Sequence, residues 1–486
     1  MNARAGFGLG NLLLFLACGC GSDENQAAAR PARTDGGAAD DGGLDAAPDA
    51  APDLNLLRSP REAEDLDPDP NVVHVRLVAA PATHTIGEQQ IPGFAYNGQT
   101  PGPTLRAKVG DLLRIDFENQ LDEATTIHWH GANVPYAMDG VTWQTNPIEP
   151  GATFTYSFKL THAGTFWYHP HFNSNGQVDR GLYGVLVVED PAEPAIDDLI
   201  VVFDVWGEGD GPSGHVAAGA SMDAGGHEPT PGSAAQPQWT VNGLIGPRAV
   251  LRGGSAVRVR LLNVSTRSYL DLRWPRIRQI GSDQGLLPAL AEPAAIVLAP
   301  GDRAEAEWLL GDQGFDVETA PYSLNGGAAQ GPLAKALSVE VTEPAAAATA
   351  PDWPFSGRAP TPDRGTTDIV YVFTGDPYTN DWRINGEQFP NVTVEELKLN
   401  ADAVIEVRNS SPTEHPFHLH GHAFEVLSVD GVAPQTRTFE DTFNVGIRGR
   451  VRVRLLADNP GDWMAHCHIL DHADHGMMTV LRVLSP

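Results

Sequence analysis

Apolar and polar residues alternate at period two through most of the chain from about Val72 onward. The alternation is plainest in LRAKVGDLLRIDFEN, ending at Asn119, VLRGGSAVRVRLLN, ending at Asn263, and EELKLNADAVIEVRN, ending at Asn409. Period two sends successive side chains to opposite faces, the pattern of a half-buried strand. No long stretch repeats at helical spacing, and 51 glycines with 39 prolines supply the turns between short strands. Each alternating stretch follows an Asn-Gly pair with a nearby proline: Asn97-Gly98 and Pro101, Asn242-Gly243 and Pro247, Asn385-Gly386 and Pro390. The Asn-Gly pairs lie 145 and 143 residues apart. A strand-rich unit repeated three times at that period predicts an all-β body of three related β-sandwiches.

The chain before this body differs in kind. The apolar run Leu12–Ala17 is too short to span a bilayer and has Arg4 ahead of it, which predicts an export signal over residues 1–20. Cys18 and Cys20 directly follow the run, an arrangement that resembles a bacterial lipoprotein processing site. Residues 21–70 are Ala, Asp, Gly and Pro with almost no large apolar side chain, which predicts a disordered tether. Residues 20–70 hold 13 acids and 4 arginines, and the body keeps about −22 of the total −30. That charge argues against nucleic acid as a partner and tolerates small neutral or cationic molecules. After export, Cys467 is the one cysteine left in the body, so no internal disulfide forms, and a lone thiol in an oxidising compartment points to metal.

The repeats also place histidines. Nine and eleven residues after Asn119 stand His128 and His130; the same offsets after Asn409 give His418 and His420; after Asn263 they give Leu272 and Trp274. Later in the units, His169 and His171 begin five residues after Gly164, as His466 and His468 begin five residues after Gly461. In a strand, residues i and i+2 share a face, so four His-x-His pairs from repeats one and three aim eight imidazoles at one interface. Eight exceed the needs of one ion and predict a cluster of several. Cys467 lies between His466 and His468 and points the other way, into the core of repeat three, toward His415, His472 and Met477. Two His, one Cys and a weak axial Met form the blue-copper set. Cys467 would then join an electron-accepting copper covalently to the cluster.

The motifs HWHG (128–131), WYHPH (167–171), HPFHLHGH (415–422) and HCHILDHADHGM (466–477) resemble the signature of three-domain multicopper oxidases of the laccase-like group. The resemblance runs from about Val72 to Pro486 and implies cupredoxin-like Greek-key domains over 71–190, 191–345 and 351–486, the second without copper ligands. It implies four coppers. His415, Cys467, His472 and Met477 would hold the type 1 ion, and His128 and His418 the type 2 ion. His130, His169, His171, His420, His466 and His468 would hold the type 3 pair. Asp139, in HGANVPYAMDG, matches a family acid tied to proton delivery. Where several bacterial relatives carry Glu after the last type 1 histidine this chain has Ala473, with Asp474 next to it.

The implied reaction is oxidation of a reductant coupled to reduction of O2 to water. Only Met222 stands in the Gly/Ala/Pro-rich insertion 207–238, with His215 and His227, where a cuprous oxidase would carry many methionines. The expected reductant is therefore a phenol or aromatic amine. The alternatives are Cu(I), Fe(II) or Mn(II) and, in a different class, a non-catalytic cupredoxin. The expectation is a monomer in the periplasm or at the cell surface, touching membrane only through a lipid on Cys18 or Cys20.

Overall fold

The computed structural model describes residues 53, 55–143, 146–207, 238–323, 327–328 and 333–485. The export signal, most of the tether and residues 208–237 of the insertion lie outside the described residues.

Each repeat folds into two facing sheets. In the first, Gln89–Tyr96, Val72–Ile86, Leu112–Asn119 and Thr153–Lys159 form one sheet, and Gly102–Lys108, Gly184–Glu189, Gly164–His169 and His128–His130 form the other. Repeats two and three each face a six-stranded sheet with a five-stranded one. The register recurs. In parallel strand pairs, Ala79 lies opposite Asn119, Phe203 opposite Asn263 and Phe373 opposite Asn409.

The two recurring asparagines have structural work in every copy. Asn97, Asn242 and Asn385 hold left-handed backbone, φ 50°, 50° and 54°, a conformation asparagine tolerates better than most residues. Their side-chain oxygens accept from the N–H of Val78, Val202 and Val372, each at 2.7 Å. The strand-end asparagines donate to loop carbonyls: Asn119 to Glu123 and Ile148, Asn263 to Ser268 and Leu298, Asn409 to Thr413 and Val445. In copies one and three those bonds fix the loop that enters the histidine strand.

Each sandwich buries its own apolar cluster, with Trp129, Tyr156 and Phe158 in the first, Leu272 and Trp308 in the second, and Phe417, Trp463 and Cys467 in the third. A fourth cluster joins Trp167 and Tyr183 of copy one, Val202 and Leu262 of copy two and Leu470 of copy three.

The tether ends earlier than composition predicts. Leu57 is buried in the core of copy two, its N–H donating to Arg248 O at 2.8 Å, and Arg106 pairs with Glu62 at 2.6 Å. The apolar pair Leu56-Leu57 supplies the burial that the surrounding Ala/Asp/Pro stretch lacks, so residues 55–70 lie against the body.

Candidate metal centre

Strand alternation builds the site. His128 lies opposite His169 and His130 opposite Trp167, while His418 lies opposite His466 and Phe417 opposite Cys467. The histidines of both sandwiches thus share the interface side, and Trp129, Phe417 and Cys467 go to the cores. The two copies meet with near-twofold correspondence. His128 stacks on His420 with centroids 3.8 Å apart, and His130 stacks on His418 at 3.9 Å.

The predicted eight are all brought together and buried, with His171, the most accessible, at 9% exposure. Ring nitrogens of His128, His130 and His169 lie within 4.8 Å of one another, as do those of His128, His418 and His420, and those of His171, His420 and His466. His468 lies beside His130, centroids 4.9 Å apart. Nε2 of His128, His169, His171 and His418, Nδ1 of His130 and both nitrogens of His468 are buried without a hydrogen-bond partner. Leaving that many polar atoms unpaired is costly; their convergence is what a set of metal ligands requires. Burial, reinforced by the neighbouring imidazoles, pushes His169, His171, His420 and His468 well below the usual histidine pKa. They are therefore neutral, the form that ligates.

The second group lies in the core of copy three. Cys467 Sγ is 3.4 Å from His415 Nδ1 and 3.6 Å from His472 Nδ1, and those two nitrogens are 3.2 Å apart. Burial pushes the Cys467 thiol far up and His415 down to about 3. A thiolate here needs a cation beside it. Met477 is fully buried in the same core; its N–H donates to His472 O and its carbonyl accepts from the Cys467 N–H. The geometry of Cys467 and its two imidazoles, with Met477 in the same core, fits copper.

Models of the multicopper oxidase family match residues 79–193 and 362–486, the stretches that carry all four histidine pairs. Multicopper oxidase MmcO of Mycobacterium tuberculosis is 31% identical over 461 residues, covering 84% of this chain and 86% of its own. This chain belongs to the multicopper oxidases. Laccase-2 of Botryotinia fuckeliana is 27% identical over 461 residues, covering 79% of this chain and 77% of its own. The solved multicopper oxidase of Campylobacter jejuni, described as a metallo-oxidase, shares the fold with a TM-score of 0.74. It is 24% identical and covers 89% of this chain and 95% of its own.

In this multicopper oxidase Asp139 is fully buried, although it sits in an Asp-Gly turn. Its Oδ2 is 2.8 Å from His420 Nδ1, and His128 Nδ1 is 3.1 Å from both its carbonyl oxygen and Oδ1, with the better alignment to the carbonyl. Asp474 points elsewhere, accepting from the N–H of Asn175 at 3.0 Å. His422 sits behind His420, its Nδ1 3.3 Å from the His420 carbonyl, and His475 turns back to Asp471.

Sequence reasoning missed Asp441. Its Oδ1 is 2.8 Å from His130 Nε2 and its carbonyl accepts from His418 Nδ1 at 2.9 Å. The Thr442 hydroxyl adds a contact of 3.0 Å to His130 Nε2. One residue thereby fixes a ring from each copy, and leaves His130 with Nδ1 to ligate. No spacing relative to the histidine motifs announces it.

Proposed function

We propose that this oxidase is laccase-like, taking electrons singly from phenols or aromatic amines at a type 1 copper and passing them to O2 at a trinuclear copper cluster, with four coppers per chain. The observation that carries this reading is Cys467, which lies beside His415 and His472 in one core while its peptide neighbours His466 and His468 stand in the interface cluster. Bound at these donors, copper supplies one-electron acceptance at the Cys467 group and four-electron reduction of O2 at the histidine group.

The chain's own residues do the rest. Apolar burial excludes water from the Cys467 group. Asp441 and Asp139 hold imidazole N–H groups outward and so aim the opposite nitrogens inward. Asp139, buried and 2.8 Å from His420 Nδ1, is the carboxyl we assign to holding a proton for O2 reduction. His415 Nε2, its outer nitrogen, meets the Ser411 hydroxyl at 2.6 Å and that of Thr413 at 3.3 Å. We read the reductant as organic, over Cu(I), Fe(II) or Mn(II), because the insertion 207–238 holds one methionine, Met222, where a cuprous oxidase would carry many. The name of the Botryotinia relative, a laccase, agrees; the Campylobacter metallo-oxidase is too distant to bear on the reductant.

The copper-loaded protein should be assayed side by side on a phenol, Fe(II) and Cu(I). The phenol is expected to give the highest kcat/KM; a Cu(I) or Fe(II) preference of tenfold or more would replace this reading with a metal-ion oxidase. Export, and a lipid on Cys18 or Cys20 anchoring a monomer outside the inner membrane, belong to the same proposal. Metabolic labelling with a fatty acid, lost in the Cys18→Ser or the Cys20→Ser variant, tests the anchor.

A further inference from the structure

None of the described residues of copy two joins the histidine groups, yet one of its side chains holds the aspartate that contacts a histidine of each other copy. We infer that Arg303 is the positioning residue of the histidine cluster, holding Asp441 so that His130 and His418 keep their ligating geometry. The inference stands whichever reductant the enzyme uses.

Arg303 begins the strand Arg303–Leu309 after the turn at Gly301, in the stretch LAPGDRAEAEW, and its side chain is fully buried. A guanidinium has five N–H donors in a planar fork. Here all five are used. Nε donates to Thr165 O of copy one at 3.0 Å, and Nη1 to Gly301 O at 3.0 Å and to Asp441 Oδ1 at 2.8 Å. Nη2 donates to Asp283 O at 3.0 Å and to Asp441 Oδ2. The Arg303–Asp441 pair is bidentate, the geometry that fixes direction as well as distance.

Asp441 passes that direction on. Its Oδ1 meets His130 Nε2 at 2.8 Å, and its carbonyl takes the His418 N–H. Thus a single cation in copy two ties copy one, through Thr165 and His130, to copy three, through Asp441 and His418. Removing it would leave a buried carboxylate uncompensated beside the cluster. Copy two touches the cluster a second time at Gly301, where a Cβ would stand 2.9 Å from His468 Nδ1. Copy two therefore forms a wall of a centre whose ligands come from the other two copies.

The test compares wild type with Arg303→Lys and with Asp441→Asn, each loaded with copper, by metal content, the blue absorption, the type 2 electron paramagnetic signal and thermal unfolding. Lysine keeps the charge but cannot serve a bidentate carboxylate and three carbonyls together. Both variants are expected to keep the blue copper and lose or distort the type 2 and type 3 copper, and the double variant should be no worse than either single one. A folded Arg303→Lys protein with unaltered type 2 and type 3 signatures overturns the inference. So does loss of blue copper in parallel with the rest, or failure of both single variants to fold, since either would make Arg303 a general structural residue.

Discussion

Trp382 lies flat on His472, ring centroids 3.8 Å apart and planes at 29°, and meets His415 edge-on at 5.3 Å. The indole is 1% exposed, its N–H donates to Asn380 Oδ1 at 2.5 Å, and room for it exists because residue 375 is glycine: a Cβ there would come 2.0 Å from the ring. An electron-rich indole face against an imidazole polarised by Cu(II) favours the oxidised ion, by about 1 kcal/mol if it resembles other contacts between a positive group and a π face. Trp382→Leu, which stays apolar and lacks the face, is therefore expected to remain blue with a higher type 1 potential, and Trp382→Phe to recover part of the shift. A potentiometric titration followed at the blue band reads both.

Met477 calls for a milder expectation. Its backbone bonds to His472 and Cys467 do not depend on its side chain, and Met to Leu conserves volume at a cost below about 1.5 kcal/mol. A thioether binds type 1 copper weakly. Met477→Leu should keep its copper content, keep its colour and show a raised type 1 potential; metal analysis that finds the blue copper gone would show the thioether to be a required ligand.

What could be read from the chain and what could not follow from locality. Strand period two fixed the direction of His128, His130, His418 and His420 relative to Trp129, Phe417 and Cys467, and a repeated offset from an asparagine exposed the pairs. Such signals lie within one unit. Asp441, Arg303 and Trp382 act across strands or across copies, and nothing in the spacing of residues 130, 303 and 441 says that they meet. The docking of Leu57 was hidden for a related reason: two leucines vanish in the average of a fifty-residue acidic stretch, yet two are enough to seat it.

A buried charge network at the seam of copies one and two makes stability depend on pH. Burial alone would raise the pKa of Glu305, but Arg258 and Arg260 more than offset it and hold the carboxyl below its ordinary value. It also accepts from the Thr165 hydroxyl of copy one at 2.5 Å. A depressed carboxyl pKa adds stability that is fully present above the unfolded value, about 4.3, and is lost as pH falls through the folded value. Asp283, pushed up to about 7 by burial, works in the opposite sense, so the difference between wild type and Glu305→Gln is the quantity to measure. Removing one partner of a buried pair costs about 3–5 kcal/mol. Calorimetry should find that loss undiminished from pH 6 to 8 and shrinking as the pH drops below about 4; a difference that stays constant to pH 3 would mean that the carboxylate is not what stabilises the seam.

Asp139 offers the sharpest separation between holding a ligand and supplying a proton. The Gly140 that follows it has φ 78°, and a Cβ there would stand 1.9 Å from Ile127 O, so the turn is sterically required and brings the carboxyl inward to His420. Asparagine fits the same turn. Its amide oxygen can still accept from His420 Nδ1, and the His128 N–H keeps the residue 139 carbonyl as its acceptor. Asp139→Asn is therefore expected to bind copper and accept electrons at the blue site as wild type does. What it lacks is a group able to give up a proton, and general acid groups typically contribute about 10²–10⁴-fold. Stopped-flow mixing of the fully reduced variant with O2 should show reoxidation slowed within that range, while reduction of the blue site by a phenol keeps its wild-type rate. Wild-type reoxidation in a fully loaded Asp139→Asn protein would limit Asp139 to orienting His420 and His128. A variant that loads poorly and regains speed in proportion to its copper content would assign it to ligand positioning alone.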